Sequence, residues 1–240
     1  MTQPLKISAL SKNFKDKKVL DGVSFEVNKG DIFGLIGLNG VGKTTMIKII
    51  LGLLDQDSGS AEIYGKDVKD KNARNNLSFL PEKFQPSLFL KGEEFLKLTC
   101  SYYKKPYSKM DAVRLARLLR LEPDVLKNRI SSYSKGMGQK LGLLSSLLVN
   151  SPFLMLDEPM SGLDPSARIS LKDALIDYVK SNNENTIFFS SHILSDIDEI
   201  CNKIAILHGT KIIYFGTPQE FKERMGINSL ERAFLKAIEG

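Results

Sequence analysis

The amino-acid sequence predicts an α/β fold interrupted by a helical insert, and three observations carry that prediction. DIFGLIG (31–37) is a near-continuous apolar run, the pattern of a strand buried on both faces. It passes through a glycine-rich stretch, GLNGVGKTT (37–45), directly into helical spacing, TTMIKIILGLL (44–54). The β pattern then yields to helical spacing from about 82 to 150 and returns at 152.

Each element follows from its own residues. Residues 5–10 and VLDGVSFEV (19–27) read as short strands, as do SAEIYG (60–65) and NLSFLP (76–81). Ser108 with Asp111 predicts a capping box for KMDAVRLARLLR (109–120), and Ser134 caps a second helix, KGMGQKLGLLSSLLV (135–149). PFLMLD (152–157), TIFFS (186–190) and KIAIL (203–207) restore the strand pattern. Asp164 and Pro165 start a helix that runs to about 180. Thr217, Pro218 and Glu220 start a C-terminal helix, and in SLERAFLKAI (229–238) Leu230, Ala233, Phe234, Ala237 and Ile238 share one face.

Composition narrows the class. The 240 residues carry a net charge of +6, which suits nucleotide, anionic lipid or nucleic acid and selects none of them. The lysines near 12–18 and 66–71 read as solvated surface charge. Cys100 and Cys201 have no CxxC or metal-ligand spacing and read as reduced thiols in or near the core. Pro4 and Lys6 break any signal-peptide pattern, and no segment reaches the ~18–20 apolar residues of a membrane span. The expected location is cytoplasmic.

Glycine weakens regular structure, so its clustering after a buried strand implies that something must approach the backbone. Gly37, Gly42, Lys43 and Thr44 fit G-x-x-x-x-G-K-[ST]. Such a loop turns its N–H groups onto phosphate oxygens, and the helix N-terminus faces the same anion. Residues 37–45 (Gly37, Leu38, Asn39, Gly40, Val41, Gly42, Lys43, Thr44 and Thr45) are the expected nucleotide cradle. Lys43 reaches the β- and γ-phosphates and Thr44 ligates Mg²⁺. FLMLDEP (153–159) ends a second strand in acids: Asp157 to hold Mg²⁺ through water, and Glu158 to orient or deprotonate the attacking water.

With both motifs in place, the whole chain resembles the nucleotide-binding subunit of an ATP-binding cassette (ABC) transporter. YSKGM (133–137) matches the family's signature loosely through Ser134 and Gly136, SGLD (161–164) fits its D-loop, and His192 fits its switch histidine. Phe14 stands where an aromatic side chain stacks on adenine. The resemblance implies a P-loop NTPase core over 1–81 and 151–240, with an N-terminal antiparallel β subdomain and a helical subdomain at 82–150. It also implies Mg-dependent ATP hydrolysis with Glu158, His192 and Lys43 as catalytic groups. Ser134 and Gly136 would bind ATP held by a second, head-to-tail subunit. A separate transmembrane permease would dock near 82–105, where FQPSLFL (84–90) is unusually apolar for a loop.

The sequence departs from the family pattern in places. Glu82 replaces a common metal-contacting glutamine, Leu38 a frequent proline, and Lys135 and Met137 the usual Gly and Gln of the signature. The Glu82, Lys135 and Met137 forms resemble exporter-type members, whereas Leu38 should matter little to the loop's N–H geometry. Gly138 costs its helix ~1 kcal/mol relative to Ala without an evident reason. An ABC ATPase acting on nucleic acid or ribosomes is the alternative, but the chain has neither a second cassette nor a long coiled-coil insert. No direct nucleic-acid contact is expected. Intact Lys43, Asp157, Glu158 and His192 also argue against a nonhydrolysing regulatory binder.

Overall fold

The computed structural model describes residues 2–239. In chain order the elements are β1 (Leu5–Phe14), β2 (Lys17–Val27), β3 (Ile32–Ile36), α1 (Lys43–Ile50), β4 (Ser58–Ile63), β5 (Lys66–Asp67) and β6 (Leu77–Leu80). Then come α2 (Gly92–Tyr102), α3 (Lys109–Leu118), α4 (Lys135–Val149), β7 (Phe153–Asp157), α5 (Pro165–Ser181), β8 (Thr186–Ser191) and α6 (Leu194–Ile200). The chain closes with β9 (Lys203–His208), β10 (Lys211–Gly216), α7 (Pro218–Met225) and α8 (Leu230–Glu239).

Two sheets form. The N-terminal one is antiparallel, in the order β2-β1-β4-β5. The second runs β10-β9-β3-β8-β7-β6 and is parallel except for the β9–β10 hairpin at its edge. Its central strands are buried on both faces, which is why they read as unbroken apolar runs. Alternate residues split cleanly between two cores. Phe33, Phe153, Met155 and Phe188 face the N-terminal sheet and α1. Ile32, Leu154, Leu156 and Phe189 face the helices on the other side. Phe33 stacks on Phe25 of the N-terminal sheet at 5.2 Å and on Phe188 at 5.4 Å, tying the two sheets together.

Between β6 and β7 the described chain is helical and contains no named strand. Ser108 caps α3 by accepting from Asp111 N at 3.2 Å, but the expected reciprocal bond is absent. The aspartate is one methylene shorter than the glutamate of a full capping box, and its carboxylate lies 3.6 Å from Arg114 instead. The C-terminal segment forms two helices where the sequence predicts a single start, because Gly226 takes the left-handed conformation (φ 68°) and ends α7. Within α8, Leu230, Ala233 and Phe234 are buried, with Ala237 and Ile238 packed beside them. Cys100 and Cys201 are both buried and free.

This topology sets the position of the site. The parallel strands β3, β7 and β8 all end on one side, where the register puts Asp157 opposite Ser190 and Ile36 opposite Ser191. In open α/β sheets that carboxyl edge is where ligands bind.

Candidate functional site

The glycine loop leaves β3 and enters α1. Two of its glycines sit at positive φ, Gly40 at 78° and Gly42 at 120°, where an L side chain is strained. Gly37 is small for a different reason. A Cβ there would lie 2.7 Å from Leu207 O and 2.8 Å from Val41 Cγ1, so it is packing against β9 that demands glycine. The first turn of α1 has no side-chain cap and no acidic residue. Its N–H groups therefore remain available to an anion, with the positive end of the helix dipole behind them.

Lys43 is 7% exposed. Its ammonium donates to Gly37 O at 2.6 Å and Leu38 O at 3.4 Å. Burial pulls its pKa down, while Glu158, Asp157 and Glu82 act in the opposite sense. A buried cation held only by carbonyls, beside three carboxylates and an uncapped helix end, suits a polyanion that arrives with its own metal.

The acidic edge is tightly organised. Asp157 ends β7 and accepts from Ser190 Oγ at 2.5 Å. The Glu158 N–H donates to Ser190 O at 3.2 Å. Glu158 has φ 52°, a strained conformation for a residue that is not glycine and that precedes a proline. Its Oε2 meets His192 Nδ1 at 2.8 Å and accepts from His192 N at 3.4 Å. Burial raises the pKa of both carboxyls; Ser190 opposes it at Asp157, and His192 and Lys43 oppose it at Glu158.

A cavity of about 490 Å³ gathers these groups, a size ordinary for a small-molecule site. Of the residues singled out from sequence, Phe14, Leu38, Asn39, Gly40, Gly42, Lys43, Thr44, Thr45, Glu82, Asp157, Glu158 and His192 line it. Gly37 and Val41 lie in the loop but do not line the cavity. Ser134 and Gly136 are not brought to it either. Ser134 instead lines a separate hollow with Lys135, Phe84 and Leu88, and its Oγ caps α4 by accepting from Met137 N at 3.2 Å.

Three contributors escaped the sequence reading. Lys17 and Val19, just past the β1–β2 turn, line the cavity mouth, and Val19 Cγ1 would lie only 3.0 Å from a Cβ on Gly42. Ser190 positions both acids; its signal was only that it lies in TIFFSSH (186–192), one strand from Asp157.

Among the described residues no group of three or more His, Cys, Asp or Glu could hold a metal unaided. Thr44 and Asp157 nonetheless offer hard oxygen donors in the same cavity. That set fits Mg²⁺, which takes one or two protein oxygens and completes its shell with phosphates and water. No helix among the described residues is long and apolar enough to cross a membrane.

The family model described as ABC transporter matches residues 20–161. An uncharacterized ABC transporter ATP-binding protein of Nostoc is 36% identical over 84% of this chain and 60% of its own length. The Synechocystis relative is covered over 57% of its length, so the chain spans somewhat under two thirds of these two proteins. The uncharacterized ABC transporter ATP-binding protein YxlF of Bacillus subtilis is 31% identical over 98% of this chain and 78% of its own. A solved structure described as the ATP binding subunit of an ABC transporter superposes with a TM-score of 0.87 at 30% identity, covering 97% of this chain and 98% of that one. The chain belongs to the ABC transporter family, among its ATP-binding proteins.

Proposed function

We propose that the chain is the Mg-dependent ATPase subunit of an export-type ABC transporter, acting at the cytoplasmic face of the membrane on a separate membrane-spanning partner. One observation carries this reading: a single cavity holds an uncapped glycine-rich helix start, a buried lysine, and a glutamate poised against a histidine.

In this reading the backbone of residues 38–43 and Lys43 Nζ hold the β- and γ-phosphates, exchanging the present Gly37 and Leu38 carbonyl bonds for phosphate oxygens. Phe14 stacks on the base at the cavity mouth. Thr44, Asp157 and Glu82 are the metal-side oxygens, and bound Mg²⁺ supplies charge neutralisation of the phosphates. Glu158 takes the proton of the attacking water, and its burial-raised pKa makes it the stronger base for that task. His192 holds Glu158 in place and faces the terminal phosphate.

Ser134 and Gly136 stand outside this cavity, which supports a site completed by the signature of a second copy in a head-to-tail dimer. Helical residues 82–150 form the inserted subdomain of a single ATPase domain whose core is 1–81 and 151–240. The docking surface for the membrane partner lies near 82–105, where Leu88 is exposed and Phe89 is 87% exposed. The export sense rests on the signature variants and on a 34% identical relative from Mycobacterium tuberculosis named as a fluoroquinolones export ATP-binding protein.

The test is Glu158→Gln. Loss of a general base should cost ~10²–10⁴-fold in turnover while ATP binding survives. Parent-rate hydrolysis in that variant would remove Glu158 from the chemistry.

A further inference from the structure

The phosphate cavity accounts for the phosphate loop and the buried acids. It does not account for the surface where α2 ends and α3 begins. Leu98 and Tyr102, one turn apart on α2, are 59% and 82% exposed, and Met110 in the first turn of α3 is 78% exposed. Soluble surfaces seldom gather large apolar side chains in this way without a partner.

The charge between them is positive. From Phe95 to Met110 the chain carries Lys97, Lys104, Lys105 and Lys109 and no acidic residue. Lys97 is already engaged, 3.0 Å from Glu93 and over the Tyr107 ring at 5.4 Å. That contact folds the connection back along α2. Glu93 is held below its ordinary pKa first by its hydrogen bond with Lys97, with Lys109 adding to the effect. Lys104 and Lys105 are exposed at the turn, Lys109 is exposed beside Met110, and none of the three forms an ion pair among the described residues. Exposed Arg114 and Arg117 continue the basic face along α3, at helical spacing from Met110.

We propose that this corner is a direct contact site for an anionic lipid surface, with Tyr102, Leu98 and Met110 entering the headgroup boundary and Lys104, Lys105 and Lys109 meeting lipid phosphates. An aromatic with a polar tip, flanked by unpaired lysines on long apolar stems, is the chemistry suited to that boundary. The acids nearby are already engaged, Asp111 with Arg114, Glu93 with Lys97 and Glu94 with the Lys91 N–H, so the charge left free at this corner is that of Lys104, Lys105 and Lys109. The site is separate from the nucleotide cavity, and it confines the partner's docking surface near 82–105 to its first part, 84–90, leaving Leu98 to Lys105 to face lipid.

The experiment is cosedimentation of the full chain with phosphatidylcholine vesicles, with and without phosphatidylglycerol. Binding should require phosphatidylglycerol and weaken with salt. Reversing two lysines in Lys104→Glu/Lys105→Glu should weaken it about tenfold or more, since each lysine near an anionic surface contributes about fivefold. Tyr102→Ser should weaken it further while ATP affinity stays at the parent value, which reports that each variant is folded. Equal binding to both vesicle types, no binding to either, or indifference to the lysine reversals would each overturn the proposal. It would also fall if the reversals released the membrane protein partner but left vesicle binding unchanged, because the corner would then belong to a protein interface.

Discussion

Two helix starts in this molecule face outward with opposite preparation. α1 begins at Gly42, with no side-chain cap, no acidic first turn and a buried lysine as its first residue. α4 begins at Ser134, whose own hydroxyl accepts from Met137 N. Both follow sequence motifs that resemble phosphate binders. Only the first joins an uncapped start to a buried lysine. The second has satisfied part of its donor set internally, and its first residue, Lys135, is exposed. A helix dipole by itself is worth well under 1–2 kcal/mol at an exposed end, so α1 can hold an anion within one chain, whereas α4 needs the rest of a site brought to it.

The largest test of this contrast is Lys43→Ala. Charge-assisted hydrogen bonds are worth ~1.5–3 kcal/mol, so ATP affinity should fall by about that much in calorimetry while adenosine affinity stays constant. Equal losses for both ligands would mean that the lysine supports the loop's fold through Gly37 O and Leu38 O rather than the phosphate.

Next comes the cost of the acids that face α1. Burial raises the Asp157 pKa, so its contribution to stability is present below the ordinary aspartate range and is lost as pH rises through the folded-state value. In its ionised form Asp157 is a buried charge that opposes folding. Asp157→Asn keeps an acceptor for Ser190 and removes that charge. It should raise the melting temperature at pH 7 by the equivalent of ~1 kcal/mol, with the gain shrinking as the pH falls into the carboxylate range. ATPase activity should be lost at the same time. Destabilisation at pH 7 would show that Lys43 and Ser190 outweigh burial at this carboxylate.

What was legible in the sequence follows the same division between local and long-range causes. The central strands could be read because burial on both faces leaves a continuous apolar run, as in Phe153–Asp157. The glycine loop could be read because positive φ at Gly40 and Gly42 restricts the residue choice. β10 could not: it is an edge strand in which Ile213 and Phe215 are more than a third exposed while Tyr214 is buried, so its burial alternates but its apolar character does not. Nor could α6, too short at seven residues to show a helical period. Ser190 was invisible for a third reason. A serine in a strand carries no pattern, and its work depends on the β7–β8 register that sets it opposite Asp157. The missing half of the Ser108–Asp111 box turned on one methylene.

A smaller effect separates capping from ligand binding at α4. Ser134→Ala removes a side-chain cap and should cost ~1 kcal/mol of stability. ATP affinity of the isolated chain should nevertheless stay at the parent value, because Ser134 does not line the cavity that holds Lys43. An affinity loss comparable to that of Lys43→Ala would mean that the two helix starts serve one site within one chain, and the contrast between them would fail.

The smallest effect concerns Gly138, in the first turn of α4. Glycine in a helix is unfavourable by ~0.8–1 kcal/mol relative to alanine. Some glycines in this fold are explained by crowding. A Cβ on Gly142, one turn later, would come 2.7 Å from Leu80 Cδ1 and 2.9 Å from Phe84 Cδ1. Gly138 has no such neighbour, since nothing lies within 4 Å of a Cβ built there, and its φ is not positive. Packing within the chain therefore does not require it, and Gly138→Ala should stabilise the isolated protein by nearly the full helix-propensity difference in denaturant unfolding. If the open space beside it is where a second copy's nucleotide approaches, the same variant should hydrolyse ATP more slowly at concentrations where the chain dimerises, while binding ATP normally as a monomer. Greater stability with unchanged hydrolysis at every protein concentration would leave Gly138 without a role at a dimer interface, and would place any contact made by α4 elsewhere along its first turn.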